Sequence, residues 1–526
     1  YHLILELKRT FSFHMMGMSA SFKKKDFAKQ HLFQLHNHTQ EYCDTLLEFQ
    51  HIAQQFETIS LDLFETIFVL PYYQPQDMFL HMENHFSVAT FAVQRLEAER
   101  KARESGQSSI EQIYAYMTPQ FKYMMQNELL IWYQVVQINP DILELLNFLY
   151  VNHKKIIFTS NTYLPQEFLL KLIEKHQLKF TSLQDTLQSS KSQLHISANS
   201  TEIEQMPTAI YKTKMNQLLS QPRMCRFASY LNQYHAHIGV SILLGTMQLL
   251  PQKADFWWNL GLWIGGPVIY SYIKFIKDTM LENNLIDVLF VARDGYSLQK
   301  AFSLLFESPT RQKTEFTSSE SQQKLQTKLQ TQVEEKQKLK SYYVYCPRIF
   351  LKQNKDHFKN YISSVLPSQN FTVVDTITCS FSAQKLFEQS FHKNFRFIYW
   401  VVRGNYEGEF HQFSKDATHH WDFMEFLMTS PEGPLEGLDA EFRPIYKPVH
   451  EKEQVRKGLY ELVSHGELEF CGIMQRIWGE YLPAIDAVGI VGLVNTYLAT
   501  NKEDLEHLKE LYHACDSEHK NYKRMF

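Results

Sequence analysis

At 526 residues the chain exceeds what one hydrophobic core organises, so two or three domains are expected. Hydrophobic residues make up 44% and charged residues 21%, an ordinary globular balance, with 39 Phe and 28 Tyr to fill large cores. A formal net charge of −4 excludes a nucleic-acid binder driven by bulk charge. The six cysteines form no CxxC pair, which argues against a disulfide framework or zinc knuckle and for a reducing cytoplasmic setting.

Residues 1–25 lack a long apolar core and a cleavage site, so no signal peptide is expected there. Residues 1–57 read as a helical lead-in, with Leu46, Leu47, Phe49 and Ile52 spaced among polar residues over 26–58. The apolar run ISLDLFETIFVLP (59–71) predicts a strand ending at Asp62. From residue 76 a long helix is expected to Gly106, then a second opened by Ser109 as a cap with Gln112 three residues on. A third begins at Asn139-Pro140. KIIFTSNTYLP (155–165) is a second strand, and SQLHISANS (192–200) predicts a third. This alternation implies a parallel sheet.

Residues 206–283 read as a helical connector. Within them, FWWNLGLWIGGPVIYSYIKFI (256–276) has the length to cross a bilayer. Asn259, the Gly265-Gly266 pair, Pro267 and Lys274 instead predict a buried amphipathic helix or helix–turn–helix, and no transmembrane anchor. A second α/β unit is expected over 284–449, with strand–turn–helix at DVLFVARDGYSLQKAF and further strands near 341–350, 371–389 and 395–404. Its residues 307–340 are Gln/Lys-rich and read as a flexible insertion. A helical region, 450–526, closes the chain.

Function in open α/β sheets collects at the carboxyl ends of strands. Four such ends carry polar residues: Asp62, Ser160-Asn161, Arg293-Asp294-Gly295 and Asp375. An Asp there can act as a nucleophile if hydroxyl or amide donors and a cation surround the transferring group. Ser160 and Asn161 could supply the donors and Lys191 the cation; the plain alternative is a turn or helix cap. An Asp pair with Arg293 could hold a sugar hydroxyl, a phosphate or a metal, and Gly295 allows a tight turn into the following helix. Adjacent residues His419 and His420 make a poor metal site, and Cys379 reads as a structural thiol.

The run Asp62-Leu63-Phe64-Glu65-Thr66 resembles motif one of the haloacid-dehalogenase-like (HAD) hydrolases, in the bacterial subgroup that reads FDIFDTL. FAVQRLEAERKAR (91–103) is similar to that subgroup's helical cap signature, and KKIIFTSNTYLP to its motif two. VLFVARDGYSLQKAF, YYVYCPR, VVDTITCSFSAQ and FLMTSPEGPLEG are similar to its C-terminal portion, whose pattern includes FlaRDGyll. The resemblance implies a Rossmannoid core over 58–205, with an inserted helical cap at 72–145, followed by the second α/β unit. It also implies a phosphatase of sugar phosphates or related precursors in surface-polysaccharide metabolism, with glycosyltransferase-type partner proteins. Asp62 would be the nucleophile, Ser160 and Lys191 would complete catalysis, and Thr66, Asn161, Arg293, Asp294 and Asp375 would contact substrate.

Departures from the pattern are as informative. Phe64 stands where typical HAD phosphatases carry an acid, a trait of the subgroup itself. The HiGDN motif is matched by HISANSTEI, so Ala198 replaces the Asp expected to hold Mg²⁺ and Ser197 replaces Gly. Asp62 with Glu202, or Glu204, would then have to bind the metal, with poorer octahedral geometry. Lys191 lies only four residues before His195, as though an intervening helix were lost. The second unit lacks the family's Gly-Trp after Asp375. The expectation is an eroded hydrolase or a pseudoenzyme that binds ligands or partners through its second unit. The absence of a DxD motif argues against a transferase.

Overall fold

The computed structural model describes residues 31–36, 42–107, 109–184, 193–198, 206–233, 238–307, 339–352, 354–366, 368, 370–416, 420–500, 506–509, 511–514 and 522–524. These form a mixed α/β architecture of two compact units, one running to Leu249 and the other starting at Leu250. Each has a predominantly or wholly parallel sheet with flanking helices.

In the first unit the strands are β1 (Phe33–His36), β2 (Tyr42–Cys43), β3 (Thr58–Asp62), β4 (Phe68–Val69), β5 (Gln137–Ile138), β6 (Lys155–Thr159), β7 (Ser182–Gln184), β8 (Gln193–Ser197) and β9 (Thr208–Tyr211). The main sheet has the order β2-β1-β9-β8-β3-β6-β7. β3, β6, β7, β8 and β9 are parallel, and β1 and β2 add an antiparallel edge. The central strands are buried on both faces, which is why Ile156 to Phe158 read as an unbroken run instead of alternating, and Ser60 is buried as fully as Ile59 and Leu61 beside it. The expected helical lead-in is therefore corrected: residues 33–36 and 42–43 pair as strands. Only Leu46–Ala53 is helical, started by a Thr45/Glu48 capping box.

The helical insertion is bracketed by the antiparallel β4–β5 pair. The long helix expected from 76 divides into Asp77–His85 and Phe91–Glu104, because Ser87 and Thr90 adopt positive φ between them. Helices Ile110–Ala115 and Met124–Val135 complete the insertion. Ser109 and Gln112 form the expected capping box, and Asn139 caps the helix Pro140–Val151 through the Asp141 amide. That helix leads directly into β6, so the insertion closes at the β4–β5 ladder and not at residue 145.

The stretch expected as a connector divides between the units. β9 joins the first sheet, followed by helices Lys214–Leu219, Pro222–Gln233 and Ile238–Met247. The second unit takes up the remainder. Phe256–Leu260, a π-helical turn Gly261–Gly265 and Gly266–Glu282 make one continuous helical run without a turn. Its glycines pack against the helix Glu451–Trp478 at backbone distance. A Cβ on Gly261 would lie 2.0 Å from the Val463 carbonyl oxygen, and one on Gly466 would lie 2.2 Å from that of Trp258. No helix among the described residues is long and apolar enough to cross a membrane.

The second sheet contains β10 (Asp287–Val291), β11 (Lys340–Val344), β12 (Phe371–Val374), β13 (Ile377–Thr378), β14 (Phe397–Val402) and β15 (Phe410–Ser414). Its order is β11-β10-β12-β14-β13, with β15 also on β14, and every pairing is parallel. β12 and β13 both pair with β14, and Asp375-Thr376 form a break between them. Two hairpins follow, β16 (Leu435–Leu438) with β17 (Pro444–Tyr446), and β18 (Tyr512–Ala514) with β19 (Tyr522–Arg524). The last corrects the expectation of an entirely helical C-terminal region. The Gln/Lys-rich insertion lies outside the described residues apart from its two ends.

Candidate functional sites at two sheet switch points

In the first unit the chain leaves β3 toward β6 and β7, then returns on the other side to β8 and β9. The strand order thus reverses beside β3, and Asp62 stands at that carboxyl end. Strand register brings Thr159 opposite Asp62 on one side and leaves Ser197, one residue beyond the Leu61–Ile196 pair, on the other. Thr159 Oγ1 donates to Asp62 Oδ1 at 2.6 Å, and Ser197 Oγ donates to Oδ2 at 2.6 Å. Both carboxylate oxygens are engaged by neighbouring strands.

Behind this clasp, buried His195 places Nε2 3.7 Å from Asp62 Oδ1, with Nδ1 3.0 Å from Ser60 Oγ. Burial depresses the imidazole pKa, against the opposing pull of Asp62. Fully buried Thr66 accepts a 3.0 Å hydrogen bond from the Ala198 amide, tying the end of β8 to the turn after Asp62. Phe64 packs edge-on to Trp132 at 5.3 Å and lies 6.1 Å from Phe68, so this side of Asp62 is an apolar wall. Ser160 is buried and its Oγ has no hydrogen-bond partner, while Asn161 is exposed. Lys191, Glu202 and Glu204 lie outside the described residues. The residues that hold Asp62 are thus Thr159 and Ser197. Neither was singled out from sequence as its partner, although both sit at the strand ends that flank it.

The described side chains do not suit Mg²⁺ at Asp62. Its oxygens accept from two hydroxyls, Ala198 presents a methyl group, and no group of three or more His, Cys, Asp or Glu among the described residues is placed to hold a metal ion.

The second unit repeats the topology. β10 sits between β11 and β12, and the chain reverses sides around it. Arg293-Asp294 follow β10 and Asp375-Thr376 follow β12. One residue bridges the two acids: Thr376 Oγ1 donates to Asp294 Oδ2 at 2.6 Å, and the Thr376 amide donates to Asp375 Oδ1 at 2.9 Å. Glu425, from the helix Trp421–Leu427, acts electrostatically on the same group.

Burial, and then the charge of Asp294, push the Asp375 carboxyl up to about 7. Burial, and then Asp294, push Glu425 in the same direction, to about 7, but the side chain is exposed, so solvent screens much of that effect. Asp294 is raised by burial against the hydrogen bond from Thr376 and the charges of Arg293, Arg456 and Arg348.

These arginines are not equivalent. Arg293 pairs with Glu453 through Nη1. Arg456 donates to Glu453 at 2.6 Å and to the Thr429 hydroxyl and the Ser430 and Glu432 carbonyls at 3.1–3.3 Å. Burial works against ionisation of Glu453, but hydrogen bonding and charge from Arg456 and Arg293 take it down to about 2. Arg348 is exposed and makes no hydrogen bond among the described residues, yet its charge acts on both Asp294 and Asp375. Sequence reading found Arg293, Asp294 and Asp375 but missed Arg348, Glu425, Glu453 and Arg456. Those four come from three separate segments, with Glu453 and Arg456 one turn apart on the helix Glu451–Trp478 and Arg348 closing the YYVYCPR run.

No protein-family model matches the chain, and no curated protein matches it.

Proposed function

We propose that the chain is a HAD-like protein of the surface-polysaccharide-linked subgroup whose first unit is a pseudoenzyme, serving as a binding or assembly frame. The observation that carries this reading is the double clasp on Asp62. A nucleophilic carboxylate attacks best with an unengaged oxygen, and here each oxygen of Asp62 already accepts a short hydrogen bond, from Thr159 or Ser197, which draws down its electron density and ties it into the sheet. Phe64 offers no proton to a leaving group, a deficit of about 10²–10⁴ in rate. Ala198 removes the metal-binding carboxylate on which the family mechanism depends.

The second reading, a weak phosphohydrolase acting on a sugar phosphate, is favoured by one feature. Ser160 Oγ is buried without a partner at the same strand ends, as a donor awaiting a ligand oxygen would be. In that case Lys191 would support the phosphoryl charge.

Hydrolysis of p-nitrophenyl phosphate with and without Mg²⁺, alongside Mg²⁺ calorimetry on the wild type and Asp62→Asn, separates the two. The pseudoenzyme predicts no Asp62-dependent turnover and no saturable Mg²⁺ binding at millimolar metal. Turnover abolished by Asp62→Asn would establish the hydrolase instead.

A further inference from the structure

Tyr163 lies three residues beyond Ser160, in the loop that follows β6, and it reaches into the helices inserted between β4 and β5. Its carbonyl accepts from the Ile110 amide at 2.9 Å. Its hydroxyl accepts from Trp132 Nε1 at 3.1 Å and also bonds to Glu128. Glu128 is fully buried, where it holds Arg95 by two 2.8 Å bonds and takes the Tyr114 hydroxyl at 2.8 Å. The Arg95 guanidinium sits 4.9 Å from the Tyr163 ring centroid and 4.5 Å from that of Phe79. One loop residue of the sheet thus joins side chains from the helices Asp77–His85, Phe91–Glu104, Ile110–Ala115 and Met124–Val135. Withdrawing it would strip a hydrogen bond from Trp132 and one from a buried carboxylate.

Two further anchors act on the same insertion. The helix Gln166–Lys175 follows the Tyr163 loop, and Lys175 Nζ donates to the Tyr133 carbonyl and, at 3.2 Å, to that of Gln134. Those carbonyls belong to the last turn of Met124–Val135, where the helix itself supplies no donor. At the stem, the helix Ile238–Met247 holds the chain as it leaves β4. The Tyr73 amide donates to the Ser241 carbonyl at 3.0 Å, Ser241 Oγ donates to Asp77 at 2.5 Å, and Gln248 Nε2 donates to the Leu70 carbonyl at 2.9 Å. A Cβ on Gly245 would lie 2.0 Å from the Pro71 carbonyl carbon, so backbone meets backbone there. A hinge needs residues free to change φ and ψ, and this stem is pinned on one side along its length.

We propose that Tyr163, Lys175 and Ser241 latch the helical insertion onto the first sheet, so that it stands beside Asp62 as a fixed wall and does not swing as a lid. Trp132 joins the two ends of this device, since it donates to Tyr163 and packs 5.3 Å from Phe64, two residues past Asp62. Access to Asp62 is then set by a standing opening. The latch is independent of whether Asp62 retains any catalysis.

The test is amide hydrogen exchange read by mass spectrometry on the full chain, in water and in a series of urea concentrations below the unfolding transition. In the wild type, amides of Met124–Val135 are expected to exchange as slowly as those of β3 and β6, because the insertion opens only when the unit unfolds. Tyr163→Phe keeps the ring and removes the hydroxyl, and Lys175→Met keeps the stem and removes the charge. In each variant exchange in Met124–Val135 is expected to outrun that of β3 and β6 by about tenfold, since each loses a hydrogen bond involving a charged group. A merely structural role would speed both sets of amides together. Wild-type exchange in Met124–Val135 faster than in β3 and β6 would overturn the proposal without recourse to any variant. So would variants in which the two sets of amides still move together.

Discussion

Asp62 illustrates how a residue's role is read from its partners. Its side chain is 28% exposed, yet it accepts from hydroxyls on two adjacent strands. If it now knits the sheet together, Asp62→Ala will strand both donors and cost about 1–3 kcal/mol in urea denaturation, whereas a free nucleophile could be removed at little cost. Arg95 is the clearer structural case. It is fully buried, forks onto Glu128 with two 2.8 Å bonds, and reaches Glu99 at 3.0 Å. Burial alone would lower its pKa, but Glu128 carries it upward, so the guanidinium stays charged. Arg95→Ala leaves Glu128 charged, buried and short of its partner, and should destabilise the first unit by about 3–5 kcal/mol. A guanidinium-denaturation midpoint unchanged from wild type would refute that role.

Elements meet most closely where Phe256–Glu282 crosses Glu451–Trp478. The glycines there are a packing requirement, since any side chain at 261 or 466 would meet backbone. Gly466→Ala is expected to lower the melting temperature through overpacking of about 1–3 kcal/mol or more. The next residue, Glu467, is fully buried, with Oε2 accepting from Tyr460 at 3.3 Å and Oε1 unpartnered. Burial pushes its carboxyl up to about 8, against hydrogen bonds from Ser297 and Tyr460. The folded state therefore keeps a proton that the unfolded chain releases above its ordinary value of 4.5. The stability this proton supports is complete below that value and declines as pH rises toward about 8. Glu467→Gln should flatten the dependence, matching wild type near the low end and exceeding it at the high end. Urea midpoints across that interval measure it, and parallel curves would remove Glu467 as the cause.

At the scale of the molecule, two units carry two sheets, each with an acid at its switch point. Residues 251–255, at the start of the second unit, are exposed and outside regular structure. A chain divided after Leu249 is expected to yield two soluble fragments, each with its own cooperative thermal transition. An insoluble or non-cooperative fragment would contradict that division. Much of this organisation was legible beforehand. Near-continuous apolar runs marked β3, β6, β10, β12 and β14, since strands buried on both faces cannot alternate. Capping chemistry located the helices at Ser109 and Asn139 because those interactions span only three residues or fewer. The strands at 33–36 and 512–514 were not legible: each exists only by pairing with a distant or following strand and carries little local signal.

The candidate sites divide in the same way. Asp62, Ser160, Arg293, Asp294 and Asp375 could be named from sequence because each directly follows an apolar strand. The order of strands is set by nonlocal packing, and that order decided which of these residues meet. It placed Thr159 and Ser197 on the oxygens of Asp62 and brought Arg348, Glu425 and Arg456 around the Asp294–Asp375 pair. Sequence alone determined where polar chemistry could sit at the ends of buried strands. Only the tertiary structure decided which of those groups are already satisfied by neighbours and which retain hydrogen-bonding capacity for something else.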